Sequence, residues 1–228
     1  MPRLSLFAIL FTSLISTSVS ALSLSDLSQQ DAGAGLKDAL IQGADMAVKE
    51  LSAPGGFSDN PDVRIELPGN LGKASRTLKM MGMGGQISQL EDKMNQAAEA
   101  AVPQAQSLLV EAIRNMSVQD AKAILTGPND SATNYLESSS RDQIRALFLP
   151  VVKNATDQVG LAQQYNTFAS QAANFGVVDS KDASVEGYVT ERTLDGLFEI
   201  MAAQEADIRS NPAQAATNIA KRVFGSLQ

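Results

Sequence analysis

What most limits the folds open to this chain is an apolar beat of three and four residues that runs through most of its 228 positions. In "SRDQIRALFLPVVKNATDQVGLAQQYNTFASQAANFG" the residues Ile144, Phe148, Val151, Ala155, Val159, Ala162 and Ala169 recur at these steps. A helix of 3.6 residues per turn gathers such positions onto one face. The same spacing links Leu36, Leu40, Ala44, Ala47 and Leu51, and again Tyr188, Leu194, Leu197, Phe198, Met201 and Ile208. Strand-like alternation occurs once, in "VRIELP", where Val63, Ile65 and Leu67 alternate with Arg64 and Glu66. A lone strand has no ladder partner, so this run is expected to lie extended across helices. The fold class is therefore all-α: a single-domain multi-helix bundle over residues 22–228, with kinked helices and at most one short extended segment near 63–67.

Breakers divide the pattern. "APGGF" ends the first helix, Asn70 is a candidate N-cap, and Gly82 a stop. Ser117 with Asp120 approximates a capping box. Pro103, Pro150 and Gly160 mark bends. Asn211, Pro212 and Gly225 read as the cap, first residue and stop of a last helix.

The N-terminus reads as an export signal. Arg3 precedes "LFAILF" and "LISTSVS", and "VSA" (Val19 to Ala21) puts compact residues where a signal peptidase cuts. Cleavage after Ala21 predicts a mature chain beginning at Leu22 and located in the periplasm. Spanning a bilayer stably takes about 20 predominantly apolar residues, and no later segment has them. There is no cysteine, so neither disulfides nor a lipid-modified cysteine can be formed. Without Arg3, 17 basic residues face 25 acidic ones. Scattered basic residues, few aromatics and no tryptophan disfavour nucleic acid as a partner.

"LPGNLGKASRT" resembles a phosphate-binding loop only superficially. The required first glycine would fall at Leu67, and Ala74 stands where the magnesium-binding hydroxyl belongs. With histidine also absent, Ser-His and Cys-His catalysis and histidine-based metal sites are excluded. No cofactor and no metal site is expected. Met80, Met81 and Met83 could offer soft thioether ligands, but methionines at a helix end are read as packing residues.

Carboxylate chemistry survives this pruning. Glu99, one acid among alanines before Pro103, is the candidate catalytic residue for a glycosidase, since burial would make it a proton donor. The other reading is a solvated glutamate on an alanine-rich helix. "GLAQQYN" is the densest polar run inside an apolar period. Gln163, Gln164, Tyr165 and Asn166 are the candidate ligand-binding residues, read first as a buried hydrogen-bond network and second as a polar pocket.

"LPGNLGKA", "AAEAAVPQA", "DAKAILTG", "LPVVKNATDQVGLAQQYN", "YVTERTLDGLF" and "IRSNPA" together resemble the exported bacterial family known as domain of unknown function 4197. The resemblance runs from about Leu24 to the C-terminus. It implies an exported, mainly helical protein of Gram-negative bacteria, and carries no activity or catalytic residue with it. Some members bear a lipoprotein cysteine; its lack here implies a soluble periplasmic form. The resulting reading is a periplasmic, non-enzymatic binding or interaction protein whose partner is an unknown protein or small ligand. The alternative is a carboxylate-dependent cell-wall glycosidase of the muramidase type.

Overall fold

A computed structural model describes residues 24–117, 119, 121–174 and 184–228. The expected signal peptide and Asp120 of the capping box lie outside the described residues. Helices α1 (Gln29–Leu51), α2 (Gly69–Leu78), α3 (Gly84–Asn115), α4 (Ala121–Leu125), α5 (Ser131–Gln158), α6 (Leu161–Asn174), α7 (Val185–Ser210) and α8 (Asn218–Gly225) build it. Among the described residues there is no strand.

The four long helices close a ring in chain order. α1 packs on α3, α3 on α5, α5 on α7, and α7 returns to α1. The apolar faces meet inside: Leu36, Leu40 and Leu51 from α1, Leu90, Met94 and Leu109 from α3, Ile144 and Phe148 from α5, and Leu194, Leu197 and Met201 from α7 are all buried. Alanine and glycine let the helices approach closely. A Cβ on Gly35 of α1 would lie 2.6 Å from Val223 Cγ2, so α8 packs directly on the α1 backbone. α4 bridges α1 and α5, while α6 packs on α3 and α5.

Residues 64–68 belong to no helix and no strand. Ile65 nonetheless has its backbone satisfied, because Asn95 of α3 stands in for a partner strand. The Ile65 N–H donates to Asn95 Oδ1 and Asn95 Nδ2 donates to the Ile65 carbonyl, both at 2.9 Å. Asn95 is fully buried, so this two-point contact replaces water for both groups. From the other side, the Tyr188 hydroxyl donates to the Glu66 carbonyl at 3.0 Å. Phe57, buried in the same loop, sits where a Cβ on Gly196 of α7 would come within 2.9 Å of its ring.

Several boundaries differ from expectation. Pro68, not Asn70, occupies the N-cap position of α2, and it has no side chain able to accept a hydrogen bond there. Gly82 (φ +88°) does break the helix, but inside a π-helical turn, Lys79–Met83, that leads directly into α3. Pro103 and Pro150 lie within helices that continue past them. Asn211 and Pro212 open only a single 3₁₀ turn, Pro212–Gln214. The last helix is capped instead by Thr217, whose hydroxyl accepts from the Ala220 N–H at 3.1 Å. No helix among the described residues is long and apolar enough to cross a membrane.

Candidate functional site: a glutamine-lined groove

Two helices present carboxamides to each other. At the start of α6, Gly160 takes a left-handed conformation (φ +64°) that ends α5 and turns the chain. Lys93 of α3 fixes that corner by donating to the Val159 carbonyl. Leu161, Tyr165 and Phe168 then bury one stripe of α6 in the core. The row beside the stripe is Gln163, Thr167 and Gln171, one helical turn apart each time. Opposite it, α3 buries Ile87 and Leu90 and exposes Gln86 and Gln89.

These rows enclose a groove of about 370 Å³. Leu90 and Phe168 contribute apolar lining, and among the described residues no charged side chain lines it. Gln164 Nε2 donates to Gln89 Oε1 at 3.3 Å, joining the two walls. The side-chain amides of Gln86, Gln163 and Gln171 bond to no other group among the described residues. The groove can therefore offer several uncharged donors and acceptors to a ligand.

The candidate run "GLAQQYN" is thus divided by the helix. Gln163 and Gln164 line the groove, whereas Tyr165 packs in the core and Asn166 is exposed outside it. A buried network of Gln164, Tyr165 and Asn166 does not form, because successive residues step about 100° around a helix and only one of the three reaches the interior. Gln86, Gln89 and Gln171 were missed from the sequence. Their signal is a carboxamide repeatedly flanking an apolar helical stripe, legible only once the two stripes are known to face each other.

Glu99 is partly buried, and Glu99 Oε1 accepts from the N–H groups of Phe57 and Ser58 at 3.1 and 3.3 Å. It anchors the loop after α1 on α3. Met83 is buried, whereas Met80 is 77% and Met81 46% exposed, so two of the three methionines are not packing residues. The π-turn rotates them outward. Among the described residues, no group of three or more acidic side chains is arranged to hold a metal ion.

Charge concentrates elsewhere, on the α5–α7 seam. Arg141 binds Glu137, Glu191 (2.8 Å) and Asp195 (2.5 Å), and Arg145 also binds Glu191. Burial would lower the Arg141 pKa, but hydrogen bonds to Glu191, Asp195 and Glu137 outweigh it and raise it. For Glu191, burial pushes the carboxyl up while the hydrogen bonds from Arg141 and Arg145 prevail and hold it below its ordinary 4.5. Each charge has a partner, which marks a structural seam.

A second ion pair is almost wholly buried. Arg209 Nη2 lies 2.7 Å from Glu205 Oε1, with side chains 7% and 3% exposed. Glu205 accepts from the N–H groups of Ala132 and Thr133 at the start of α5, at 3.0 and 2.8 Å. Arg209 donates to the carbonyls of Leu125 (2.7 Å) and Ile124 at the end of α4. One pair thereby caps two helix ends, each with the charge that its dipole favours.

No curated protein matches this chain, and no solved structure does. A family model described as "Protein of unknown function (DUF4197)" matches residues 26–225, nearly the whole chain beyond the expected signal. The match takes in both walls of the groove, the Asn95 contact and the Glu205–Arg209 pair. The chain belongs to the DUF4197 family.

Proposed function

We propose that this is an exported, periplasmic binding protein without catalytic activity, and that the groove between α3 and α6 holds its ligand. The observation that carries this reading is the convergence of five glutamines and Thr167 on one cleft with an apolar base. Ligand sites of a few hundred Å³ commonly combine an apolar lining with a few polar groups that orient the ligand. The uncharged lining favours a neutral ligand rich in hydrogen-bonding groups over a nucleotide, a free amino acid or a metal ion. For Glu99, the two backbone amides on Oε1 favour an anchoring role over the alternative, a muramidase-type glycosidase.

Thermal shift of the mature protein against neutral metabolites, oligosaccharides and capped peptides tests the groove. Ligand at a hundred times its dissociation constant should add about 2.7 kcal/mol of stability. Thr167→Arg, an exposed position that would fill the groove, should abolish the shift. A library with no stabilising compound, or a shift that persists in Thr167→Arg, refutes the assignment. Export rests on the "VSA" site: fractionation and N-terminal sequencing should return a periplasmic chain beginning at Leu22, and a membrane-held chain beginning at Met1 would contradict it.

A further inference from the structure

This chain twice uses a helix carboxamide to hold the backbone of an extended segment. Asn95 takes both the N–H and the carbonyl of Ile65. Gln42 of α1 makes a similar two-point contact. Gln42 Nε2 donates to the Gln214 carbonyl at 3.1 Å, and the Ala216 N–H donates to Gln42 Oε1 at 2.6 Å. Between them Ala215 is extended, with φ −59° and ψ 140°. A carboxamide offers one donor and one acceptor side by side, the complement of an N–H and a carbonyl that project to the same side of an extended chain, and so serves as one rung of a strand ladder.

The groove repeats this chemistry, and among the described residues no backbone lies on it. Gln163 and Gln171 stand on α6 with Thr167 between them, facing Gln86 and Gln89 on α3. Gln163 to Gln171 spans about 12 Å at 1.5 Å per residue. That length accommodates about three to four residues of extended chain at roughly 3.3 Å each. The base favours a peptide over a sugar. Leu90 is fully buried and Phe168 only 3% exposed, so no aromatic face is presented for the apolar side of a pyranose ring.

We infer that the groove between α3 and α6 binds an extended, uncharged segment of a partner polypeptide through its main-chain amides. This rests on the reading of the groove as the binding site. Recognition falls on N–H and carbonyl groups common to all residues, so it selects for extended conformation and neutrality more than for particular side chains.

The test monitors the side-chain amide resonances of glutamine in nitrogen-15-labelled mature protein. Three probes are titrated: an acetylated, amidated octapeptide of alternating serine and alanine, the same peptide with its backbone N-methylated, and chitotetraose. The first should shift the amides of Gln86, Gln89, Gln163 and Gln171. N-methylation should weaken binding at least ten-fold, as should the double variant Gln163→Ala/Gln171→Ala, whose exposed positions leave the fold intact. Equal binding of the N-methylated peptide overturns the inference. Shifts with chitotetraose and none with the peptide also overturn it, while leaving the groove a ligand site. If neither compound moves these resonances, the peptide assignment falls, and the wider library decides separately whether the groove binds anything.

Discussion

Truncating Asn95 to alanine leaves the N–H and carbonyl of Ile65 buried with no partner. A buried polar group without its hydrogen bond costs about 1–3 kcal/mol. At this chain length each kcal/mol lowers the melting temperature by roughly 2–4 °C. Asn95→Ala should therefore melt several degrees below wild type by circular dichroism. Asn95→Asp should do no better, because a carboxylate would face the Ile65 carbonyl. Asn166→Ala makes the contrast within the run that the sequence singled out. Its side chain is exposed, so stability should stay within about 0.5 kcal/mol of wild type. Nothing in "EDKMNQAAEAA" marks Asn95 as different from Gln96 except register. Met94, Ala97, Ala98 and Ala101 define the buried face, and Asn95 falls beside it. A polar residue on an apolar face was the available signal, diluted here by the surrounding alanines.

Among elements, α4 and the start of α5 are the most dependent on one contact. α4 has five residues, too few to hold a helix by its own hydrogen bonds. Its terminal carbonyls go to Arg209, while Glu205 takes the first amides of α5. Breaking a buried pair from one side strands the other charge, at about 3–5 kcal/mol. Arg209→Ala should lose that much stability in urea titration. Glu205→Gln/Arg209→Met should lose clearly less than the two single changes summed, since neither partner is then left charged. The helices themselves were legible, because long periodic runs such as 131–158 and 185–210 declare themselves. Their ends were less so. Pro68 and Thr217 occupy N-cap positions where Asn70 and Asn211 were expected, since cap choice depends on where the chain arrives from, which no local pattern records.

For the whole molecule, the α5–α7 seam contributes to the acid response through Glu191. Glu191 has a folded-state pKa below its ordinary value, so its contribution is complete above about pH 4.5 and is lost as pH falls through the depressed value. Glu191→Gln should be less stable than wild type at pH 7. That deficit should shrink as urea midpoints are compared at progressively lower pH below about 4. A deficit that stays constant down to pH 2 would exclude the seam as the source. Fold class and the extended segment at residues 64–68 were readable because periodicity is local. The groove was only half readable: "GLAQQYN" names one wall, and the opposite wall lies in "GGQISQL", some 75 residues earlier by the Gln164–Gln89 contact.

The ring of long helices in chain order has a kinetic consequence. Three of its four seams join long helices that follow one another in the chain, so they can form with modest loop closure, and mostly local contacts speed folding. The α1–α7 seam alone must bring the two ends of the ring together. Closure there is expected after the rate-limiting barrier. Met201 lies in this seam, its backbone oxygen 3.5 Å from where a Cβ on Gly43 would stand. Stopped-flow measurements on Met201→Ala should accordingly show faster unfolding with nearly unchanged refolding. Exported unfolded, as proposed, the chain would become compact early and latch last.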